Sequence, residues 1–241
     1  MQPKLIGNRQ FAMSSFRFKQ FAVQHDRCSM RVGTDGVLLG AWASCEAGHT
    51  ILDVGTGSGL IALMMAQRNP QAHITAIDID HESIVQASEN FAASPWSDRI
   101  EAQERNFTDE TQTYDLIVSN PPFFEEDTPS ATIQMNRAKH TTSLTFSQLI
   151  STAAHHLSAH GRFAVIIPYP AASRFIGIAA TSGLALARRC DIRANNQRPF
   201  KRSLLEFIRR ATTTHHTTLT LYNETGQRTD EYTELTKSFY L

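Results

Sequence analysis

Thr50-Ile51-Leu52-Asp53-Val54-Gly55-Thr56-Gly57-Ser58-Gly59-Leu60-Ile61 is the stretch on which the reading of the fold turns. Thr50–Val54 is short and apolar, as a strand buried on both faces must be. Glycines at alternate positions then allow a tight turn. Leu60, Ile61, Leu63, Met64 and Met65 mark a helix that ends near Asn69-Pro70. Working outward, residues 73–77 form a second apolar strand leading into Asp78, and 81–91 read as the next helix. A strand near 99–102, a strand over Tyr114–Ser119, a helix around 146–157, a strand over 161–168 and a helix near 171–182 follow. Two long strand-like runs, 184–192 and 203–210, close the chain without an obvious helix between them. Strands alternating with helices predict an α/β fold, a mostly parallel sheet with helices on both faces. The last two runs predict a closing hairpin, hence one antiparallel strand. Other doubly wound folds share this pattern.

No repeat, low-complexity tract or Pro/Gly/Ser linker divides the 241 residues, and a hydrophobic fraction of 41% fills one sizeable core. No stretch approaches the ~20 apolar residues of a membrane helix, and no targeting signal is evident, so a cytoplasmic location is expected. Cys28, Cys45 and Cys190 are scattered and odd in number, which suggests neither a disulfide framework nor a zinc knuckle. The pairs His155-His156 and His215-His216 have no matching third ligand, and no metal is expected.

The formal net charge is zero, but the charges are unevenly spread. Arg188, Arg189, Arg193, Arg198, Lys201, Arg202, Arg209 and Arg210 are opposed in their stretch only by Asp191 and Glu206. Lys4, Arg9, Arg17, Lys19, Arg27 and Arg31 form a second basic group near the start, against Asp26. Such runs are often only solvated faces. Two of them flanking one core point to an anionic polymer.

The glycine turn lies where open α/β sheets bind ligands, at the carboxyl end of a strand and the start of a helix. Gly55 and Gly57 leave room for a cofactor, and the helix N-terminus can receive the carboxylate of a methionine moiety. Asp53 would lie near that moiety's ammonium group. A carboxylate at Asp78 can accept hydrogen bonds from both ribose hydroxyls of an adenosine moiety. The spacing is G-x-G-x-G preceded by an acid, which differs from the G-x-G-x-x-G of dinucleotide enzymes. The alternative for Asp78 is that it caps the following helix.

Ser119-Asn120-Pro121-Pro122-Phe123, directly after a strand, is the sharpest signal in the chain, and it points to methylation of an amino group. An exocyclic amine conjugated to a ring is a poor nucleophile because its lone pair is delocalised. The side-chain carbonyl of Asn120 and the backbone carbonyl of Pro121 can accept its two N–H bonds, favouring a pyramidal nitrogen with its lone pair aimed at the methyl. Pro121 and Pro122 stiffen the turn and remove competing donors. Phe123 offers a flat face on which a base can stack.

With these residues the chain resembles the bacterial tRNA1(Val) (adenine-37 N6)-methyltransferase family, nearly from end to end. The segments carrying the resemblance are residues 16–21 and 26–42, the two motifs above, and the ending 232–241. It implies a class I (Rossmann-like) methyltransferase with a seven-stranded sheet, S-adenosyl-L-methionine as cofactor, tRNA as substrate, and a monomer. It further implies an N-terminal extension, 1–45, covering the cofactor and substrate site, with Gly33, Thr34 and Asp35 in the pocket. Residues 46–241 would form the methyltransferase domain with its basic C-terminal strands. The family often has tyrosine where this chain has Phe123, which keeps the stacking face. It often has an acid near the cofactor adenine where Asn106-Phe107 stands here, with the Asn106 carbonyl able to accept. RNA contacts are expected from Arg17, Lys19, Arg137, Lys139, Arg198, Lys201 and Arg202, whereas Glu125, Glu126 and Asp127 would repel phosphates if they faced the substrate and are read as an outer loop. Competing readings are an Asn-Pro-Pro enzyme acting on rRNA, DNA adenine or a protein glutamine, and a binding module without turnover.

Overall fold

The computed structural model describes residues 15–28, 31–122 and 144–241. A hairpin of β1 (Ser15–Arg17) and β2 (Ala22–Gln24) comes first, then α1 (Thr34–Trp42). Strands and helices then alternate through β3 (Thr50–Val54), α2 (Leu60–Arg68), β4 (His73–Asp78), α3 (His81–Ala92), β5 (Ile100–Glu104) and β6 (Tyr114–Ser119). Beyond these lie α4 (Phe146–His156), β7 (Leu157–Pro168), α5 (Ala172–Thr181), β8 (Ala185–Arg193), β9 (Arg202–Ile208), β10 (His215–Thr220) and α6 (Asp230–Thr236).

The main sheet runs β10-β8-β9-β7-β6-β3-β4-β5. β9 is antiparallel to both its neighbours, β7 and β8, and the other pairs are parallel. The closing hairpin and its single reversed strand therefore form as the sequence indicates. The strand count differs: eight strands where seven were expected, because β10 adds alongside β8. Its sequence, His-His-Thr-Thr-Leu-Thr, has one apolar residue and four exposed positions, so it carries no apolar run to announce it. A polar edge strand of this kind discourages further pairing.

Side chains alternate between two cores, as the pleat requires. Ile51, Leu116, Val118, Ala164, Ile166 and Leu204 face the layer of α1, α2, α3 and α6; Leu52, Ile117, Phe163, Val165, Ile167 and Leu205 face α4 and α5. α1 belongs to the first core through Val37, Leu38 and Leu39, so this part of the N-terminal segment is not merely laid over the domain. Gly36 and Gly40 make the packing close: a Cβ on Gly40 would lie 2.5 Å from Met64 Sδ, and one on Gly36 3.0 Å from Leu60 Cδ2. The same two glycines weaken the helical signal in the sequence.

The N-terminal hairpin and the chain's ending hold each other. Lys19 N–H donates to the Phe239 carbonyl at 2.8 Å, and Phe18 stacks on Tyr240 with ring centres 6.0 Å apart. Two of the segments that carry the family resemblance thus form one packed cluster.

Candidate active site

The carboxyl ends of three adjacent strands stop at one level. Val54 of β3 registers with Ile77 of β4 and with Ser119 of β6, and Ser119 Oγ donates to the Val54 carbonyl at 2.9 Å. Gly55, Asp78 and Asn120 therefore leave the sheet side by side. Gly55 and Thr56 both donate their N–H to the Ile77 carbonyl, at 2.9 and 3.0 Å, which bends the turn across the end of β4.

Gly55 and Gly57 adopt φ of 71° and 53°, a backbone region costly for other residues, and a Cβ on either would meet nothing within 4 Å. The turn thus presents bare backbone to open space, the cradle a cofactor needs. Gly59 has a different task, since a Cβ there would lie 2.4 Å from the Phe91 ring.

Asp78 Oδ2 accepts the Gly57 N–H at 2.9 Å and Oδ1 accepts the Asp80 N–H at 3.0 Å. Each oxygen keeps a further acceptor position, so the carboxylate is oriented without being consumed. Burial pushes its pKa up, opposed by the bond from Gly57. The cap of α3 is Asp80, whose Oδ2 accepts the Ser83 N–H at 3.0 Å, so the helix-capping alternative for Asp78 does not hold.

Asp53 lies beneath the turn with no exposed surface. Its Oδ2 accepts from Thr56 Oγ1 at 2.7 Å and from Ala62 N–H at 3.2 Å, tying the turn to the first turn of α2. Its Oδ1 is buried and has no partner, an orphaned acceptor beside the turn that an ammonium group would satisfy. Burial raises the Asp53 pKa to about 7, against the lowering effect of the Thr56 and Ala62 bonds.

Asn120 is half-buried, Pro121 buried and Pro122 exposed at the end of β6. Phe123, Arg137 and Lys139, with Glu125, Glu126 and Asp127, lie outside the described residues. Gly33 is the extended residue before α1, and Thr34 opens that helix. The close approach of Gly36 to Leu60 brings the N-terminus of α1 against that of α2. Asp35 forms an ion pair with Arg202 Nε at 2.7 Å.

The charge of Arg202 is thus matched within the chain. The same holds for much of the basic run. Arg188 donates to Ser44 Oγ and to the buried Glu206, Arg189 to both oxygens of Asp191, and Arg209 to the carbonyls of Ala154 and Leu157. Lys19 Nζ donates to the Lys237 carbonyl at 2.6 Å. Arg17, Arg198 and Lys201 are exposed. Of the histidine pairs, His216 Nε2 lies 2.8 Å from Asp191 Oδ2 and His156 Nδ1 2.6 Å from the Gln112 carbonyl. Among the described residues no group of three or more His, Cys, Asp or Glu could hold a metal ion.

Asn106 is exposed and caps a short 3-10 turn, its carbonyl oxygen accepting the Thr108 N–H at 3.1 Å. That carbonyl keeps a second acceptor position. Phe107 is 1% exposed and packs in the second core. Two residues escaped the sequence reading. Ile79, 47% exposed beside Asp78, is an apolar face in a place that would otherwise be polar, and its only signal was a hydrophobic residue between two aspartates. Asn90 on α3 clamps the hairpin to the glycine turn, donating to the carbonyls of Gln24 and Ser58, both at 2.8 Å, and accepting the Gln24 N–H at 2.9 Å. Nothing in the periodicity of α3 separates Asn90 from an ordinary polar position.

Residues 33–176 match the Methyltransferase small domain family. Over 239 residues, 97% of each chain, the sequence is 41% identical to the tRNA1(Val) (adenine(37)-N6)-methyltransferase of Mannheimia succiniciproducens. It is 46% identical over 229 residues to the enzyme of that name from Phocaeicola vulgatus, covering 94% of this chain and 97% of the relative. Among solved structures, a predicted O-methyltransferase of Agrobacterium tumefaciens superposes with a TM-score of 0.64 over 85% of this chain and 96% of that one, at 19% identity. That likeness is one of fold.

Proposed function

The chain belongs to the tRNA1(Val) (adenine(37)-N6)-methyltransferase family, and from that premise we propose that it methylates the N6 amino group of an adenine in tRNA, adenine-37 of a valine tRNA, using S-adenosyl-L-methionine. The observation that carries this reading is the common level of Gly55, Asp78 and Asn120 at the ends of three neighbouring strands. Gly55 and Asp78, which would hold a cofactor, thus neighbour Asn120, which would hold the target amine.

The open backbone at Gly55 and Gly57 and the orphaned Asp53 Oδ1 fit such a cofactor. When bound, S-adenosyl-L-methionine supplies a methyl on a positively charged sulfur. Asp78 accepts from the ribose hydroxyls, and the exposed side chain of Ile79 packs on the adenine face. The paired N-termini of α1 and α2, with Gly33 and Thr34, receive the methionine carboxylate, which helix dipoles favour. Asp53 answers the ammonium. Asn106 and Phe107 would flank the cofactor adenine, the Asn106 carbonyl keeping one acceptor position beside its bond from Thr108.

At the other side, Asn120 and the Pro121 carbonyl accept the two N–H bonds of the target amine. With the amine so held, its nitrogen lone pair would take the methyl that the cofactor would supply, the sulfur being the leaving group and the surplus proton going from the nitrogen to water. Phe123 stacks on the extruded base. No side chain of tuned pKa is required, because positioning supplies most of the effect. The enzyme acts as a cytoplasmic monomer on its tRNA.

Incubation with labelled S-adenosylmethionine and unmodified tRNA, followed by nucleoside mass spectrometry, tests the reading. N6-methyladenosine at position 37 of valine tRNA is expected. A methyl on a ribose oxygen, a ring carbon or only on a protein glutamine would overturn it.

A further inference from the structure

An aromatic pair stands at the same edge of the sheet as Asn120. Ser119 of β6 registers with Val165 of β7, and β7 runs on to Pro168 before Tyr169. At about 3.3 Å per residue, Tyr169 rises roughly 10 Å past the level of Asn120, one strand over. Pro168 registers with Arg202 of β9, and Tyr169 N–H donates to the Lys201 carbonyl at 3.0 Å, which sets the approach to β9 beside it. Phe200 in that approach faces Tyr169 with ring centres 5.4 Å apart and planes 35° apart.

Two anchored cations support the rings. The Arg189 guanidinium lies 5.6 Å from the centre of Tyr169 and is held by Asp191 at 2.9 and 3.0 Å. The Arg193 guanidinium lies 5.3 Å from the centre of Phe200 and is held by Thr220 and Asn196 at 3.0 and 2.7 Å. Tyr169 nevertheless remains 36% exposed, one of few large hydrophobic side chains so open among the described residues, and Arg198 and Lys201 are exposed next to Phe200. A rigid aromatic face with exposed cations beside it is what single-stranded nucleic acid requires, because bases stack on the ring while the cations meet phosphates.

We infer that the Tyr169–Phe200 pair, flanked by Arg198 and Lys201, is a stacking platform for a nucleotide next to the methylated adenine in a single-stranded RNA loop. The inference rests on the proposed action on tRNA and adds a second base-binding position outside the methyl-transfer site. It commits to unpaired RNA, whose bases can splay onto a ring, since a duplex would offer the ring no free base face.

The test is the affinity of the full chain for a fluorescent anticodon stem-loop RNA, measured across a salt series, with cofactor affinity as the control for folding. Tyr169→Ala should weaken RNA binding on the order of 5- to 100-fold with an unchanged salt slope, because a stack releases no counterions. Tyr169→Phe should bind like wild type. Wild-type affinity for Tyr169→Ala, or equal weakening in Tyr169→Phe, would overturn the platform. Photo-crosslinking of the wild-type chain to 5-bromouridine placed beside the target adenine guards against misfolded variants: crosslinks to Tyr169 or Phe200 are expected, and crosslinks only elsewhere refute it. Binding needs no turnover, so RNA bound by wild type without methylation would sink the proposed reaction and leave the platform standing.

Discussion

Gly57 donates its backbone N–H to Asp78 Oδ2 across 2.9 Å, so the acid that ends β4 is part of the turn that follows β3. Asp78→Ala should therefore do two things: remove the acceptors for the ribose and loosen the turn. A hydrogen bond to a charged group contributes about 1.5–3 kcal/mol, so losing even one of the two ribose bonds predicts a cofactor Kd raised at least roughly 10- to 100-fold. The rate at saturating cofactor should change less, since these interactions precede the transition state as well as accompany it. Calorimetry showing wild-type affinity would remove Asp78 from the site.

Asp53 gives a pH prediction. Its folded pKa of about 7 lies above the ordinary carboxylate value, so the native state binds the proton more tightly than the unfolded chain does. Stability on its account is fully present below about pH 4 and is lost as pH rises through about 7. Asp53→Asn should flatten that limb of a stability profile. An ammonium brought to Oδ1 favours the ionised form, so cofactor binding near pH 6.5, about half a unit below that pKa, should release a proton. Calorimetry in buffers of different ionisation enthalpy reads this, and no proton release would count against the proposed role of Asp53.

The Asp35–Arg202 pair separates structural cations from RNA-facing ones. Arg202→Gln should leave the salt dependence of tRNA binding unchanged, whereas neutralising Arg198 and Lys201 should reduce the slope by roughly one unit for each phosphate no longer neutralised. The pair is about one-third exposed on each side, so a double-mutant cycle with Asp35→Asn should give a coupling of no more than about 1 kcal/mol. A slope reduced by Arg202→Gln alone would return that residue to the RNA surface.

How far the sequence could be read follows from which interactions are local. The strand, glycine turn and Asn120-Pro121-Pro122 run were legible because apolar runs, backbone demands and turn chemistry are written in neighbouring residues. β10 was not, because an edge strand buries little and needs no apolar alternation. α1 was not, because its glycines Gly36 and Gly40 serve neighbours, Leu60 and Met64, that lie far along the chain. The long-range partners inside the basic run were not legible either. Arg188 finds its partners in Ser44, from the segment after α1, and in Glu206, across the β8–β9 pair, whereas Asp191, the partner of Arg189, lies two residues along on the same strand. Tyr169 and Phe200 meet only because β7 and β9 register, a relationship no spacing announces.

Asn120→Ala should abolish most turnover while leaving S-adenosylmethionine affinity nearly intact. Asn120 leaves β6 beside Gly55, yet the proposed cofactor interactions fall to the turn and Asp78, and its own carbonyl is assigned to the target amine. Losing one well-placed polar partner that strengthens in the transition state typically costs about 10²–10³ in rate. Asn120→Asp tests the geometry more finely, since a carboxylate keeps an acceptor at that place while losing the amide donor, and should retain more activity than alanine. Phe123→Ala should weaken the hold on the extruded adenine, whereas Phe123→Tyr should stay active because the π-face is preserved. Single-turnover rates on unmodified tRNA, read beside cofactor titrations, separate the roles. Wild-type turnover in Asn120→Ala would show that the amine is held by some other group.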